Sequence, residues 1–424
     1  MGSKSSDVLV IGAGIAGMEA SLLLSKAGRK VHLVERSSYT GGTSVLFEQV
    51  YPTFECATCM LSPLQQDLLQ DPNIHFMVLS EVTEVKESPE GFDVVIKARA
   101  RYVNPDACIG CGLCFEPCPV SRPNEAESGL STRKAIFVPF SGALPNVPMI
   151  DKDACIHLQG GDCQKCKEAC VFEAVDLDQK DTDVPLSVAA IIVASGSDMI
   201  DLNKLARYGY GVNGEVYSAL EFERMFSSNG PTGGKIQMRN GRPPRSVALV
   251  HCVGREEVGY CSSVCCMYLL KFNQYLRTKL PDIEVHEYIS DLTIPGQSAQ
   301  HFFMRMMKDG TDLVRARNLR LTKGEDQQKV VYQDANGHEV QRPVDMVILA
   351  PALVPRKGSD VLAGVLGISL GPFGYFSEGM SGPVSTSRHG IYIVGGAHGP
   401  EGIDTSVMDA YAAVAQVLGA RRGG

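Results

Sequence analysis

The sequence predicts an α/β fold with two dinucleotide-binding-type units and a small α+β module inserted into the first. Three observations carry this. The chain opens with a strand–turn–helix–strand pattern built on G-x-G-x-x-G; residues 101–180 break that pattern and hold eight of the fourteen cysteines; and a second strand–turn–helix pattern begins at Ser246. At 424 residues, two or three domains are expected.

In the first unit, Asp7–Ile11 is a short apolar run ending in Gly12-Ala-Gly14-Ile-Ala-Gly17. A helical pattern follows through Met18, Ala20, Leu22, Leu23 and Leu24, and then a strand, Lys30–Val34, which ends at Glu35. Gly12 allows the tight turn, Gly14 lets a pyrophosphate approach, and Gly17 packs helix on strand; the helix N-terminus holds the phosphates and Glu35 takes the ribose hydroxyls. A lone glycine motif is weak evidence, but strand, helix, second strand and acid together point to a dinucleotide. The Gly41-Gly42 turn just beyond fits FAD rather than a nicotinamide. Val188–Gly196 and Gly390–Gly396 read as later strands of the same unit, so Gly196 and Gly396 join the candidate FAD contacts, and a final helix is expected from about Thr405.

The insert contains a repeat: Asp106-Ala107-Cys108-Ile109 recurs as Asp153-Ala154-Cys155-Ile156, as the two halves of a two-cluster ferredoxin would. Between them, Ser121–Pro148 is rich in Pro, Ser and Asn and reads as a solvated or partner-facing connection. Gly230–Arg245 reads as a linker. The expected division is 1–100, 181–230 and 346–424 for the FAD-binding unit, 101–180 for the ferredoxin-like insert, and 231–345 for the second, degenerate nucleotide-type unit. In that unit His251-Cys252-Val253-Gly254 stands where a second nucleotide site would carry G-x-G.

Composition narrows the function classes. A net charge of −8 provides no basic stripe for nucleic acid. No apolar run approaches the ~20 residues of a membrane-spanning helix, and the polar N-terminus is unlike a signal peptide. Gly2 and Ser6 match a myristoylation pattern, discounted because the first strand begins at once. Cysteines in C-x2-C runs within a large α/β chain indicate metal or redox use and a reducing cytoplasm, with an anaerobic setting preferred.

Twelve cysteines form three tetrads. Cys108-x2-Cys111-x2-Cys114-x3-Cys118-Pro119 is the bacterial ferredoxin run, in which the fourth cysteine ligates the other cluster. On that rule Cys108, Cys111 and Cys114 pair with Cys170, while Cys155, Cys163 and Cys166 pair with Cys118. Seven residues, not two, separate Cys155 from Cys163, and Val171 replaces the proline, so one cluster with a degenerate partner is the alternative. Zinc fits the C-x2-C-x2-C run poorly. Cys252-x8-Cys261-x3-Cys265-Cys266 matches no ferredoxin spacing. There Cys261 and Cys265 are expected on one helix face, with Cys252 reaching from the preceding strand turn; by spacing alone an unusual cluster and buried inert thiols stand level.

The segment HCVGREEVGYCSSVCCMYLLK resembles the cluster motif of the heterodisulfide reductase A subunits and their relatives, among them the A subunit of the quinone-interacting membrane-bound oxidoreductase. FECATCMLSP, RYVNPDACIGCGLCFEPCPV and GIYIVGGAHGPEGIDTSV extend the likeness over essentially the whole chain. The resemblance implies a disulfide-oxidoreductase-like two-domain flavoprotein with FAD and three [4Fe–4S] clusters, the third ligated by Cys252, Cys261, Cys265 and Cys266 beside the FAD. It implies a redox component of a hetero-oligomer whose partners are heterodisulfide-reductase B/C-like or linked to hydrogenase or ferredoxin, reaching a membrane only through a partner. Lys271 occupies the place of a family lysine near the flavin ring; a solvated lysine is the bland alternative. Three departures are expected: no N-terminal extension, no second C-terminal ferredoxin, and Asp291-Leu292-Thr293 where relatives carry Asp-Leu-Arg.

Cys56 and Cys59 remain, as a redox dithiol against the flavin, a pair of small buried thiols, or ligands to a metal shared with a partner chain. His251, His389 and His398 lie near glycine-rich turns and receive no role. The reading is an FAD and iron–sulfur electron-transfer subunit, relaying or bifurcating electrons between partners. Its rivals are a self-sufficient NAD(P)H-dependent reductase using Cys56 and Cys59, which the eroded motif at His251–Gly254 opposes, and a zinc-bearing scaffold without turnover.

Overall fold

The apolar run before Gly12 forms β1 (Val8–Ile11), followed by α1 (Ile15–Lys26) and β2 (Val31–Val34). The computed structural model describes residues 6–419, so the Gly2 end of the myristoylation pattern lies outside the described residues. α2 (Ala57–Gln70), β3 (Ile74–Met77), β4 (Ser80–Ser88) and β5 (Gly91–Ala98) follow. A parallel five-stranded sheet runs in the order Ile391–Ile393, Ala190–Val193, β1, β2, β3. Side chains alternate across it. Val8 and Val10 face α1 and the C-terminal helix Ile403–Gly419. Leu9 and Ile11 face Phe92, Val94 and Ile96 of an antiparallel sheet made of Thr182–Val188, β5 and β4. Each fully buried Leu or Val in these layers contributes about 1.5–3 kcal/mol.

The second unit repeats this plan. Its parallel sheet runs Val216–Ser218, Met346–Pro351, Ser246–Val253, Glu284–Ile289, Asp312–Arg315. The helices Ala219–Phe226 and Cys265–Lys279 cover one face. A three-stranded antiparallel sheet contributing Leu321, Val330, Tyr332 and Val344 covers the other. Two boundaries read from sequence therefore move. Val216–Ser218 and Met346–Pro351, expected in the FAD-binding unit, are hydrogen-bonded into the second sheet, because the pairing of Met346–Pro351 with Ser246–Val253 is long-range and leaves no local signature.

The insert leaves the antiparallel sheet at Ala98 and rejoins it at Thr182, and these two residues face each other across β5 and Thr182–Val188. Its halves use the same turn. The N–H of Cys108 donates to Asn104 O at 3.1 Å and that of Cys155 to Asp151 O at 2.9 Å. Asp106 N donates to the Asn104 side chain and Asp153 N to the Asp151 side chain, each at 3.0 Å. The connection between the halves is not a solvated loop. Ala135, Ile136 and Val147 are buried in the insert's core, Phe140 and Ala143 pack into the first unit, and Glu127 forms a buried ion pair with Arg224 at 3.0 Å. Its proline- and serine-rich composition conceals this because short two-residue strands, rather than periodic elements, carry the packing.

Candidate functional site

The glycine-rich turns converge at the C-terminal ends of the first sheet's strands, the usual ligand crevice of open α/β sheets. Gly12 has φ +107°, and a Cβ there would lie 2.2 Å from Ala194 O; the turn is tight enough to require glycine. A Cβ on Gly42 would stand 3.0 Å from Gly14 Cα, so the Gly41-Gly42 turn passes directly over the start of α1. Gly396 approaches the backbone of Gly196, and Gly17 that of Gly12. No side chain caps the N-terminus of α1, which leaves its first-turn N–H groups for an anion. Glu35 sits at the end of β2 with Oε2 accepting from Ala13 N at 2.7 Å and Oε1 from Ser37 N at 2.7 Å. This cradle fits the diphosphate and ribose of a dinucleotide.

In the insert, the thiols gather across the two sequence tetrads. Cys118, Cys155, Cys163 and Cys166 line one pocket together with Ile136, Ile150 and Lys165. Cys114 faces Cys108, Cys166 and Cys170. Burial pushes the Cys114 thiol up to about 12, and it pushes Cys166 to about 11 with help from Cys155 and Cys118. Burying several thiols this closely is costly unless a cation compensates the thiolates. Around the first set, Ile109, Leu113, Val171 and Phe172 are exposed apolar side chains on the residues flanking the cysteines.

Cys252, Cys261, Cys265 and Cys266 line a separate pocket with Arg255, Ala350 and Ala352. Cys252 lies in an irregularity of the strand Ser246–Val253 with φ +58°, which turns its sulfur out of the sheet. The expected shared helix face for Cys261 and Cys265 is incorrect. The helix begins at Cys265, and Cys261 precedes it in a turn that Gly259 and Ser263 hold in left-handed conformations. The segment Asp291–Thr293 closes the cavity. Thr293 N–H donates to Cys266 Sγ at 3.4 Å, Thr293 Oγ1 lies 3.7 Å from Cys261 Sγ, and Cys252 Sγ lies 3.7 Å from Asp291 O. In the sequence this segment stands out only as a departure from the relatives.

Burial pushes Cys265 up to about 12 and Cys266 to about 11; a hydrogen bond from Tyr268 opposes the first shift, and the Thr293 N–H opposes the second. Tyr268, itself raised well above the usual range by burial and by Cys265, is a contact that sequence reading misses. Tyr51 is a second. Burial raises its hydroxyl, and the charges of Asp404 and then Cys265 add to the shift.

Lys271 is not solvated. It is buried on the helix Cys265–Lys279, with Nζ 2.6 Å from Glu223 Oε2 and donating to Gln49 O at 2.8 Å. Burial lowers its pKa, opposed by Glu223 and then Glu48. Glu223 Oε1 in turn accepts from Glu48 N at 2.9 Å, so the pair fixes the segment preceding Cys56. Cys56 caps the N-terminus of α2, and both Cys56 and Cys59 are exposed, so the buried-thiol reading of that pair is incorrect.

Two parallel-sheet units of like plan, one with a dinucleotide cradle and the other with cysteines at its turn, define a two-domain flavoprotein of the disulfide-oxidoreductase type carrying an iron–sulfur module. Solved structures share the fold. Thioredoxin reductase from T. acidophilum superposes with a TM-score of 0.54 at 13% identity, covering 98% of this chain and 99% of that one; the enzyme from Lactococcus lactis gives 0.53 at 15% identity, covering 98% and 99%. The FAD binding domain family matches residues 7–47 and the 4Fe-4S binding domain family residues 101–121. The A subunit of the H2:CoB-CoM heterodisulfide,ferredoxin reductase of Methanothermobacter thermautotrophicus is 36% identical over 98% of this chain and 64% of its own length. The iron-sulfur A subunit of the CoB–CoM heterodisulfide reductase of Methanocaldococcus jannaschii is 37% identical over 96% and 63%. The A subunit of the ferredoxin/F420H2-dependent enzyme of Methanosarcina acetivorans is 34% identical over 98% and 53%. Over nearly its whole length the chain is similar to heterodisulfide reductase A subunits, and it spans just under two thirds of the length of the first of these relatives.

Proposed function

We propose that this chain is the FAD and iron–sulfur electron-transfer subunit of a heterodisulfide-reductase-like complex, with three [4Fe–4S] clusters. FAD exchanges electrons in pairs or singly, and each cluster passes one at a time. The cysteines would be used as Cys108, Cys111, Cys114 and Cys170; Cys118, Cys155, Cys163 and Cys166; and Cys252, Cys261, Cys265 and Cys266. Gly12, Gly14, Gly17, Glu35, Gly41, Gly42, Gly196 and Gly396 form the FAD cradle, and Lys271 is the buried cation assigned to the flavin side.

The observation that carries the reading is the replacement at the second unit. At the turn following Ser246–Val253, where a nicotinamide nucleotide would bind, four thiols line a cavity and no G-x-G turn is present. The unit is therefore equipped for single-electron exchange rather than hydride transfer from NADH, which sets aside the self-sufficient reductase. The C-x2-C-x2-C run suits a cubane and fits a zinc site poorly. The exposed apolar residues beside Cys108, Cys111, Cys114 and Cys170 suit docking of a partner redox protein, in a reducing cytoplasm. Among the described residues no helix is long and apolar enough to cross a membrane.

Anaerobically purified or reconstituted protein tests this. One FAD and about twelve irons per chain are expected from three [4Fe–4S] clusters, with cluster reduction by a low-potential ferredoxin and none by NADH. Rapid flavin reduction by NADH, or zinc in place of iron, overturns the reading. Whether the flavin bifurcates is decided in the same preparation by adding two acceptors of different potential and following both.

A further inference from the structure

Cys56 and Cys59 are built unlike the other twelve cysteines. Both are exposed. They stand at the start of the fourteen-residue helix α2, where Cys56 is the N-cap and its Sγ accepts the backbone N–H of Cys59 at 3.4 Å. The neighbouring Cys56 side chain, by hydrogen bonding and then by its charge, holds the Cys59 thiol above its ordinary range. Cys59 is thus the thiol that keeps its proton and Cys56 the sulfur that receives donors, a division of labour that suits a C-x2-C pair.

The pair is also firmly presented. Val50 N–H donates to Glu55 O at 2.9 Å and Ala57 N–H to Glu48 O at 3.1 Å; Gln49 pairs with Cys56 across a short antiparallel bridge. The Gln49 carbonyl is in turn held by Lys271 Nζ. An exposed pair on an anchored hairpin can meet a second molecule without reorganising the chain.

We propose that Cys56 and Cys59 form a dithiol–disulfide couple that reduces an accessible disulfide on another molecule, with Cys56 as the attacking sulfur and Cys59 as the resolving one. The Cys56 thiolate attacks one substrate sulfur, the substrate S–S bond breaks, and the first substrate thiolate leaves and takes a proton from water. Cys59 then releases its proton to water and attacks Cys56 Sγ. The mixed disulfide breaks, the second substrate thiol leaves, and a Cys56–Cys59 disulfide remains. Two electrons pass from this chain to the substrate, and the oxidant is the substrate disulfide itself. The exchange uses neither flavin nor clusters, so it stands apart from the electron-relay reading.

The test uses anaerobic, cluster-loaded protein, reduced and desalted, mixed with the aromatic disulfide 5,5′-dithiobis(2-nitrobenzoate). The expected result is a fast release of two thionitrobenzoates per chain, with peptide mass mapping placing the new disulfide between Cys56 and Cys59. Cys56→Ser loses the fast phase. Cys59→Ser releases one equivalent and leaves a stable mixed disulfide on Cys56. Iron content and flavin absorbance should be unchanged in both variants, which separates this test from the relay reading. A fast phase that survives Cys56→Ser, a Cys59→Ser variant that still releases both equivalents, or iron lost from either variant would each overturn the proposal, the last by making the pair metal ligands.

Discussion

The ferredoxin-like insert and the second sheet unit both gather four-thiol cavities, but they rest on different foundations. In the insert, Cys114, Cys118, Cys155 and Cys166 are themselves buried core residues, packed with Tyr102, Val103, Ile136, Ile150 and Val175. Around Cys252, Cys261, Cys265 and Cys266, a complete apolar core stands behind the site: Val247, Leu249, Leu269, Phe272, Met346 and Ile348 are all buried without help from the thiols. One region builds its interior partly from the thiols themselves. The other has an apolar interior behind them and, on the proposed function, would give one turn of it over to a cluster.

The sharpest way to break that contrast is to remove one thiol from each. Cys114→Ala should cost about four irons per chain and unfold the insert, seen as loss of hydrogen-exchange protection across residues 101–180. Cys266→Ala should cost the same iron while protection of Ser246–Val253 and Met346–Pro351 persists. Equal loss of protection in both would remove the distinction.

Next in size are the buried ion pairs that tie each region to the rest. Arg224→Met strands the Glu127 carboxylate and frees the insert's connection from the helix Ala219–Phe226, with an expected cost of about 3–5 kcal/mol in denaturant unfolding. Lys271→Met strands Glu223 in the same way and should cost a similar amount. The double variant Lys271→Met/Glu223→Gln should recover part of it, because the uncompensated charge is then gone.

A smaller effect sharpens the comparison at the third tetrad. Thr293→Val removes the hydroxyl beside Cys261 but keeps the N–H bond to Cys266, so the midpoint of that cluster alone should fall by roughly tens of millivolts, read by redox titration.

The smallest effect lies near the FAD cradle. Burial and then Asp409 push Glu401 up to about 7. A carboxyl raised in the folded state gives stability that is fully present below its unfolded value and is lost as pH rises through 7. The thermal unfolding midpoint should therefore fall as pH rises from roughly 4.5 to 7, and Glu401→Gln should flatten that slope.

Legibility in the sequence follows the range of the interactions. The β1–α1–β2 unit and the ferredoxin run are local: turn glycines and ligand cysteines lie within a few residues of one another, so spacing alone conveys their geometry. Lys271 reads as solvated or beside the flavin because its partners, Glu223 and Gln49, lie 48 and 222 residues away. The four-residue spacing of Cys261 and Cys265 suits a helix, yet Gly259 and the left-handed Ser263 delay that helix to Cys265. The buried face of Ser121–Pro148 escapes notice because its apolar residues follow no period. Thr293 registers only as a substitution until the fold brings its N–H to Cys266.

The pairing of Ala98 with Thr182 has a further consequence. The insert leaves and rejoins the chain at the tip of a hairpin whose two strands are already in register, so its two points of attachment adjoin. Loop closure depends only logarithmically on length, and exchanging a two-residue turn for some eighty residues there costs the scaffold about 3 kcal/mol. Covalent attachment at one place does not make the insert removable by a splice alone: Phe140 and Ala143 fill the first unit's core and Glu127 compensates Arg224, so excision with a short Asn-Gly turn should leave a folded flavoprotein only when Arg224 is neutralised and that core is refilled.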